Sequence, residues 1–221
     1  MGSAEPDITG FPPSVVVEES AQLRAQLDAE IPAKNLDRNL LVATWNLRAL
    51  GALTQKWDAS ENDSPVRDLR TLRMIAEIVS RFDVVAIQEV RDNLTALRSL
   101  MLALGPDWSH VVTYVTKGKK GNLERMAFLF DARKIKMSGL ACELVVPPER
   151  LERIEADALR RQFARTPYAV CFQTHSSAFN RPTSFVLVTL HVIHWESPAE
   201  RLPEVKEIAD WMSDWAKSVH A

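Results

Sequence analysis

The sequence predicts an α/β (α+β) protein, built as a layered β-sandwich with helices flanking it. Three observations point there. Helical and strand patterns alternate early in the chain, consecutive strands dominate later, and an amphipathic helix comes last. A helix with one apolar face needs a sheet or another helix to bury it, so the layers follow from the pattern.

The chain has 221 residues, 46% of them hydrophobic and 25% charged, which suits a globular protein with a substantial core. The formal net charge is −2, so no global positive field draws it to a polyanion. A local basic patch or a bound metal could still do so. Two cysteines, Cys142 and Cys171, exclude a disulfide framework and a cysteine metal cluster, and each reads as a buried free thiol. No stretch approaches the roughly 20 apolar residues that a membrane span needs. The first 20 residues lack a basic region followed by a long apolar core, so no secretory signal is expected and the reading is cytoplasmic.

Residues 1–38 read as a leader followed by a helix, and 39–221 as one domain. Residues 1–17 look loosely ordered. In 18–31, Leu23, Leu27 and Ile31 recur at helical spacing. "NLLVATWN" (39–46) reads as a strand. After the loop "WDASENDSP" (57–65), Ser64 fits a helix N-cap and Pro65 a first helical position. Leu69, Leu72, Ile75, Ala76 and Val79 make that helix's apolar face. Val84, Val85, Ala86 and Ile87 form a continuous apolar, largely β-branched run, the mark of a strand buried on both faces. Asp92 or Asn93 can cap the next helix, with Leu94, Leu97, Leu100, Met101 and Leu104 on its face and Gly105-Pro106 as its stop.

Further strands are expected over 109–115, 125–131, 136–146, 168–174 and 184–192. A basic loop containing Lys117, Lys119 and Lys120 and a charged, helical excursion over 147–163 lie between them. The final helix, 200–219, carries Val205, Ile208, Met212, Trp215 or Ala216, and Val219 on one side.

The chemistry gathers at strand ends. "VATWN" delivers Asn46, "VVAIQE" delivers Glu89, and "FVLVTLH" delivers His191. Glu124 stands just before the strand "RMAFLFD". In α/β proteins, ligands bind at the carboxyl ends of strands. A carboxylate with a nearby amide oxygen is hard-ligand chemistry suited to Mg²⁺ or Mn²⁺. A histidine beside a carboxylate is an acid–base pair, and arginines near a metal suit phosphate. Taken singly, each has a plainer role. Asn46 can cap a turn, Glu89 or Glu124 can solvate a loop, and His194 competes with His191. Arg91 and Arg165 can be surface cations, and Trp45 and Trp195 packing residues.

Read in order, "TWN", "IQEVRD", "ERMAFLFD", "RTPYAVCF" and "VTLH" resemble the endonuclease/exonuclease/phosphatase superfamily, the deoxyribonuclease-like fold. The resemblance covers about residues 39–195, and "QEVRD" is its most specific piece. It implies a DNase I-like, metal-dependent hydrolase of phosphodiester or phosphomonoester bonds that uses Mg²⁺ or Mn²⁺. By resemblance, Glu89 is the metal-binding glutamate and Asn46 helps order metal and phosphate. His191 and Glu124 are the catalytic pair, while Arg91 and Arg165 contact the substrate phosphate. The substrate is a phosphate compound, with DNA or RNA favoured by "QEVRD" and by the basic loop.

The family's later Gly-Asp-Phe-Asn-like and Ser-Asp-His-like segments have no match here, so the chain is expected to be C-terminally truncated relative to that pattern. Self-association through an exposed sheet edge is then expected. An enzyme is one reading; a binding module that keeps the scaffold without the full site is the other.

Overall fold

The computed structural model describes residues 7–115, 123–145, 166–175, 181–191 and 198–219. Arg165, Lys117, Lys119, Lys120, His194, Trp195 and the 147–163 excursion lie outside them. The described residues form helices α1 (Ser14–Glu30), α2 (Leu69–Val79), α3 (Thr95–Leu104) and α4 (Pro198–Val219). Seven strands accompany them: β1 (Val42–Leu50), β2 (Val84–Arg91), β3 (Trp108–Val112), β4 (Glu124–Asp131), β5 (Ile135–Glu143), β6 (Tyr168–Thr174) and β7 (Ser184–Thr189).

One sheet runs β1-β2-β4-β3 and the other β5-β6-β7, so β1 and β7 each stand at a sheet edge. Among the described strands, β1 and β2 pair in parallel and the other pairings are antiparallel. This is the expected mixed, layered sandwich. The central strand β2 shows why its sequence does not alternate. Val85, Ile87 and Val90 pack under α2 and α3 with Leu69, Leu72, Leu97 and Leu100. Val84 and Ala86 face the second sheet with Phe128, Tyr168, Val170 and Phe172. Both faces are dry, so both need apolar residues. Phe172 joins the layers by edge-on ring contacts at 5.6 Å to Phe128 and 5.4 Å to Phe130.

The expected face of α2 is buried throughout. Its start is not as expected. Asp68, not Ser64, is the N-cap and accepts the Thr71 N–H at 2.8 Å, so Pro65 lies outside the helix. Asp68 also accepts from Ala59 N and so fastens the preceding loop. At α3 the N-cap is Leu94, which makes no side-chain cap bond, rather than Asp92 or Asn93; Asn93, one residue earlier, accepts the Thr95 N–H at 2.9 Å, and Gly105, at φ 90°, ends the helix.

The leader also departs from expectation. Ile8 and Val16 are buried, and α1 begins at Ser14 and packs against α2, aided by the Glu19–Arg70 ion pair. On α4 Trp211 is buried and meets Leu144 and Ala169 over the second sheet, whereas Val205 is exposed; the side chains of Ile208 and Val219 lie outside the described part. Cys142 and Cys171 are free but half-buried rather than buried. No helix among the described residues is long and apolar enough to cross a membrane.

At the end of β2 remote from its carboxyl terminus lies a charged cluster that the sequence pattern did not suggest. Asp83, Asp131 and Lys134 have fully buried side chains. Lys134 Nζ donates to Asp83 Oδ2 at 2.8 Å and to the carbonyls of Asn35 and Asn39. Lys34 reaches Asp131 at 2.6 Å. Burial alone would raise the Asp131 carboxyl, but hydrogen bonds from Arg133 and Lys34 win and hold it well below its ordinary value. A depressed folded-state value stabilises the fold above the unfolded carboxylate pKa, and that contribution is lost as the pH falls. The stability difference between the wild type and Asp131→Asn should therefore shrink as urea midpoints are taken from pH 7 to below about 4. A difference independent of pH would contradict it.

Candidate active site

The site is made by two backbone irregularities side by side. In the β1–β2 ladder Asn46 pairs with Gln88 and Leu50 with Val90, so residues 47–49 oppose Glu89 alone. In the β2–β4 ladder the register shifts again between Ile87 and Val90. Arg48 (φ 47°), Ala49 (φ 58°) and Glu89 (φ 60°) occupy the left-handed region, which is costly for residues with a Cβ. Such bulges re-aim side chains and often adjoin active sites.

The re-aimed groups meet. Asn46 Nδ2 donates to Glu89 Oε1 at 2.8 Å, and Ala49 N donates to Glu89 Oε2 at 3.1 Å. Arg48 N donates to Asn46 Oδ1 at 2.9 Å, which fixes the amide's orientation. Burial opposes ionisation of Glu89. The Asn46 and Ala49 hydrogen bonds, with charge from His191 and Arg91, outweigh it and hold the carboxyl below its ordinary value. Glu89 is thus an ionised carboxylate at the open end of a buried strand.

His191 follows β7 and bridges to the first sheet. Its Nε2 lies 3.7 Å from Glu89 Oε1 and its Nδ1 lies 3.5 Å from Glu124 Oε2. Glu124 is not ahead of a strand, as the sequence suggested, but is the first residue of β4, and it is buried. Its cross-strand partner is Arg91, whose Nη2 lies 3.6 Å from Glu124 Oε1. Gly51 permits that arrangement, because a Cβ there would lie 2.9 Å from the Arg91 Cβ.

The structure therefore brings together Asn46, Glu89, Arg91, Glu124 and His191. Arg165 is the sixth expected residue and lies outside the described part.

Sequence reasoning missed three contributors. Gln88 is buried and donates from Nε2 to Thr44 Oγ1 at 3.0 Å and to Thr189 Oγ1 at 2.8 Å. It thereby ties β1 and β2 to the end of β7, two residues before His191. The 47–49 bulge, and Arg67, whose guanidinium donates to the carbonyls of Leu47, Arg48 and Ala49, are the others. Only the position of Gln88, immediately before Glu89 at the end of an apolar run, was a signal in the sequence.

No group of three metal-ligating His, Cys, Asp or Glu side chains occurs among the described residues. A Mg²⁺ ion keeps several waters and needs only one or two protein carboxylates. The ionised Glu89 fits that sparse demand; the Asn46 amide turns its Nδ2 to Glu89 and its Oδ1 to the Arg48 N–H, where one lone pair of that oxygen is left over.

No protein-family model matches the chain. It is 26% identical over 189 residues to deoxyribonuclease-1 of Bos taurus, covering 84% of this chain and 58% of that protein. It is 30% identical over 166 residues to deoxyribonuclease-1-like 2 of Mus musculus, covering 72% and 55%. The chain thus spans a little over half the length of these relatives. In fold it is similar to a conserved protein of unknown function from Enterococcus faecalis V583. The TM-score is 0.51 at 16% identity, over 79% of this chain and 61% of that one. These likenesses bear out the resemblance to the deoxyribonuclease-like proteins of the endonuclease/exonuclease/phosphatase superfamily that the motifs carry.

Proposed function

We propose that this chain carries the metal-holding half of a phosphodiesterase site and hydrolyses phosphodiester bonds, with nucleic acid as substrate. The observation that carries the reading is the row Glu89–His191–Glu124, with Asn46 and Arg91 at its flanks. The deoxyribonuclease relatives support DNA as the substrate class.

Glu89 and Asn46 would hold Mg²⁺ or Mn²⁺. Such an ion supplies neutralisation of phosphate charge and acidification of water. Glu124, facing His191 Nδ1, fixes the ring and stabilises the imidazolium. The Nε2 edge is turned to the Glu89 side, where it can hold a proton beside the scissile phosphate. Arg91 supplies a guanidinium fork for a phosphate oxygen. Lys117, Lys119, Lys120 and Arg165 are further cations proposed for the polyanion; they lie outside the described residues.

His191→Ala should lower kcat by about 10²–10⁴-fold on a phosphodiester substrate, the usual worth of a general acid–base group. His194→Ala should cost much less. The two variants are compared with circular dichroism as a folding control, and the reverse order would assign the role to the wrong histidine.

A further inference from the structure

Arg67 stands immediately before the N-cap of α2, and its backbone is pinned. Thr54 N donates to Arg67 O at 3.0 Å, Thr54 and Asp68 form a parallel bridge, and Leu69 N donates to Lys56 O at 2.9 Å. From this base the guanidinium reaches the bulge in β1. Nη1 donates to Ala49 O at 3.1 Å, and Nη2 donates to Arg48 O at 2.9 Å and to Leu47 O. Among the described residues no carboxylate lies within ion-pairing distance of Arg67; its recorded partners are these three consecutive carbonyls.

Those same residues carry the N–H groups that face the site. Ala49 N holds Glu89 Oε2 and Arg48 N holds Asn46 Oδ1. Arg48 and Ala49 are both left-handed, a conformation that residues with a Cβ keep only when neighbours enforce it. Successive N–H groups in such a turn form a concavity suited to an anion. An arginine whose planar fork takes all three carbonyls from behind leaves the N–H groups on the other side.

We propose that Arg67 is a positioning residue. By gathering the carbonyls of Leu47, Arg48 and Ala49 it holds the bulge in the one shape that presents Ala49 N–H to Glu89 and orients Asn46. The activity arm of its test rests on the phosphodiesterase reading; the geometric arm does not.

The test uses the full chain and the variants Arg67→Met and Arg67→Lys, with amide hydrogen exchange followed by NMR. In Arg67→Met, protection of the Ala49 amide should fall at least about tenfold, as expected for losing a hydrogen bond to a charged group. Protection of the β2 and β4 amides should be unchanged. Lysine offers a point charge in place of a fork, so Arg67→Lys should lie between the two. If the chain cleaves phosphodiesters, kcat of Arg67→Met should fall about 10–100-fold with little change in KM, as for other supports of a metal ligand.

Unchanged Ala49 protection would overturn the proposal. So would a loss spread evenly through β2 and β4, which would make Arg67 a general stabiliser. Inactivity of the wild type would count against the phosphodiesterase reading alone, because the Ala49 amide still reports on Arg67.

Discussion

Glu89→Ala should abolish metal-dependent phosphodiester cleavage, with kcat/KM down by about 10³-fold or more, because an interaction required by the whole catalytic unit is removed. The fold should survive. The side chain sits at the open rim of β2, and among the described residues its hydrogen bonds go to Asn46 and Ala49. The same variant should lose tight Mn²⁺ binding, read by calorimetry on the protein without substrate. Glu89→Gln separates charge from shape. It can keep the contact with Ala49 N–H, yet it lacks the charge that a hard divalent cation requires. If Glu89→Gln bound Mn²⁺ as the wild type does, the metal would be held elsewhere.

The second large effect is on stability and lies at the other end of the same strand. Lys134→Met should cost about 3–5 kcal/mol, because it leaves Asp83 as a buried charge stripped of its closest cation. For a chain of this size each kcal/mol lowers Tm by roughly 2–4 °C, so a fall of about 6–20 °C is expected. Lys34, 3.7 Å from Asp83 Oδ1, limits the loss but lies farther away. The double variant Asp83→Asn/Lys134→Met should be less destabilised than the sum of the single changes, since the residues are in direct contact. Asp83 precedes β2 and Glu89 lies near its far end, six residues along, about 20 Å at strand rise. Activity per folded molecule should therefore be unchanged in Lys134→Met. A thermal melt indistinguishable from the wild type would show that Lys34 alone neutralises Asp83.

These two positions also mark what could be read from sequence. Glu89 was legible because it ends an apolar, β-branched run, a local pattern with a direct physical cause. The inward faces of α2 and the boundaries of β6 were legible for the same reason. Lys134 and Asp83 are 51 residues apart, and nothing local to either announces the other. Arg67 and Ala49 are joined only because β1 bulges, and a bulge in residues such as Leu47, Arg48 and Ala49 has no glycine to give it away. At α2 the Ser64-Pro65 pair looks like a helix start, yet the helix begins four residues later. Asp68, directly before the first apolar position of α2, carried the stronger signal. Glu124 reads as solvated because it is charged; in the fold it is buried against Arg91 across the ladder and His191 from the other sheet. Site geometry is thus assembled from long-range pairs, whereas element identity is mostly local.

The most direct measurement is cleavage of supercoiled plasmid by this chain in Mg²⁺, in Mn²⁺ and in EDTA, with Glu89→Ala alongside. The account predicts nicking that requires both the metal and Glu89. Cleavage that persists in EDTA or in Glu89→Ala would contradict it, and no cleavage by a protein shown to be folded would reduce the site to a scaffold for binding.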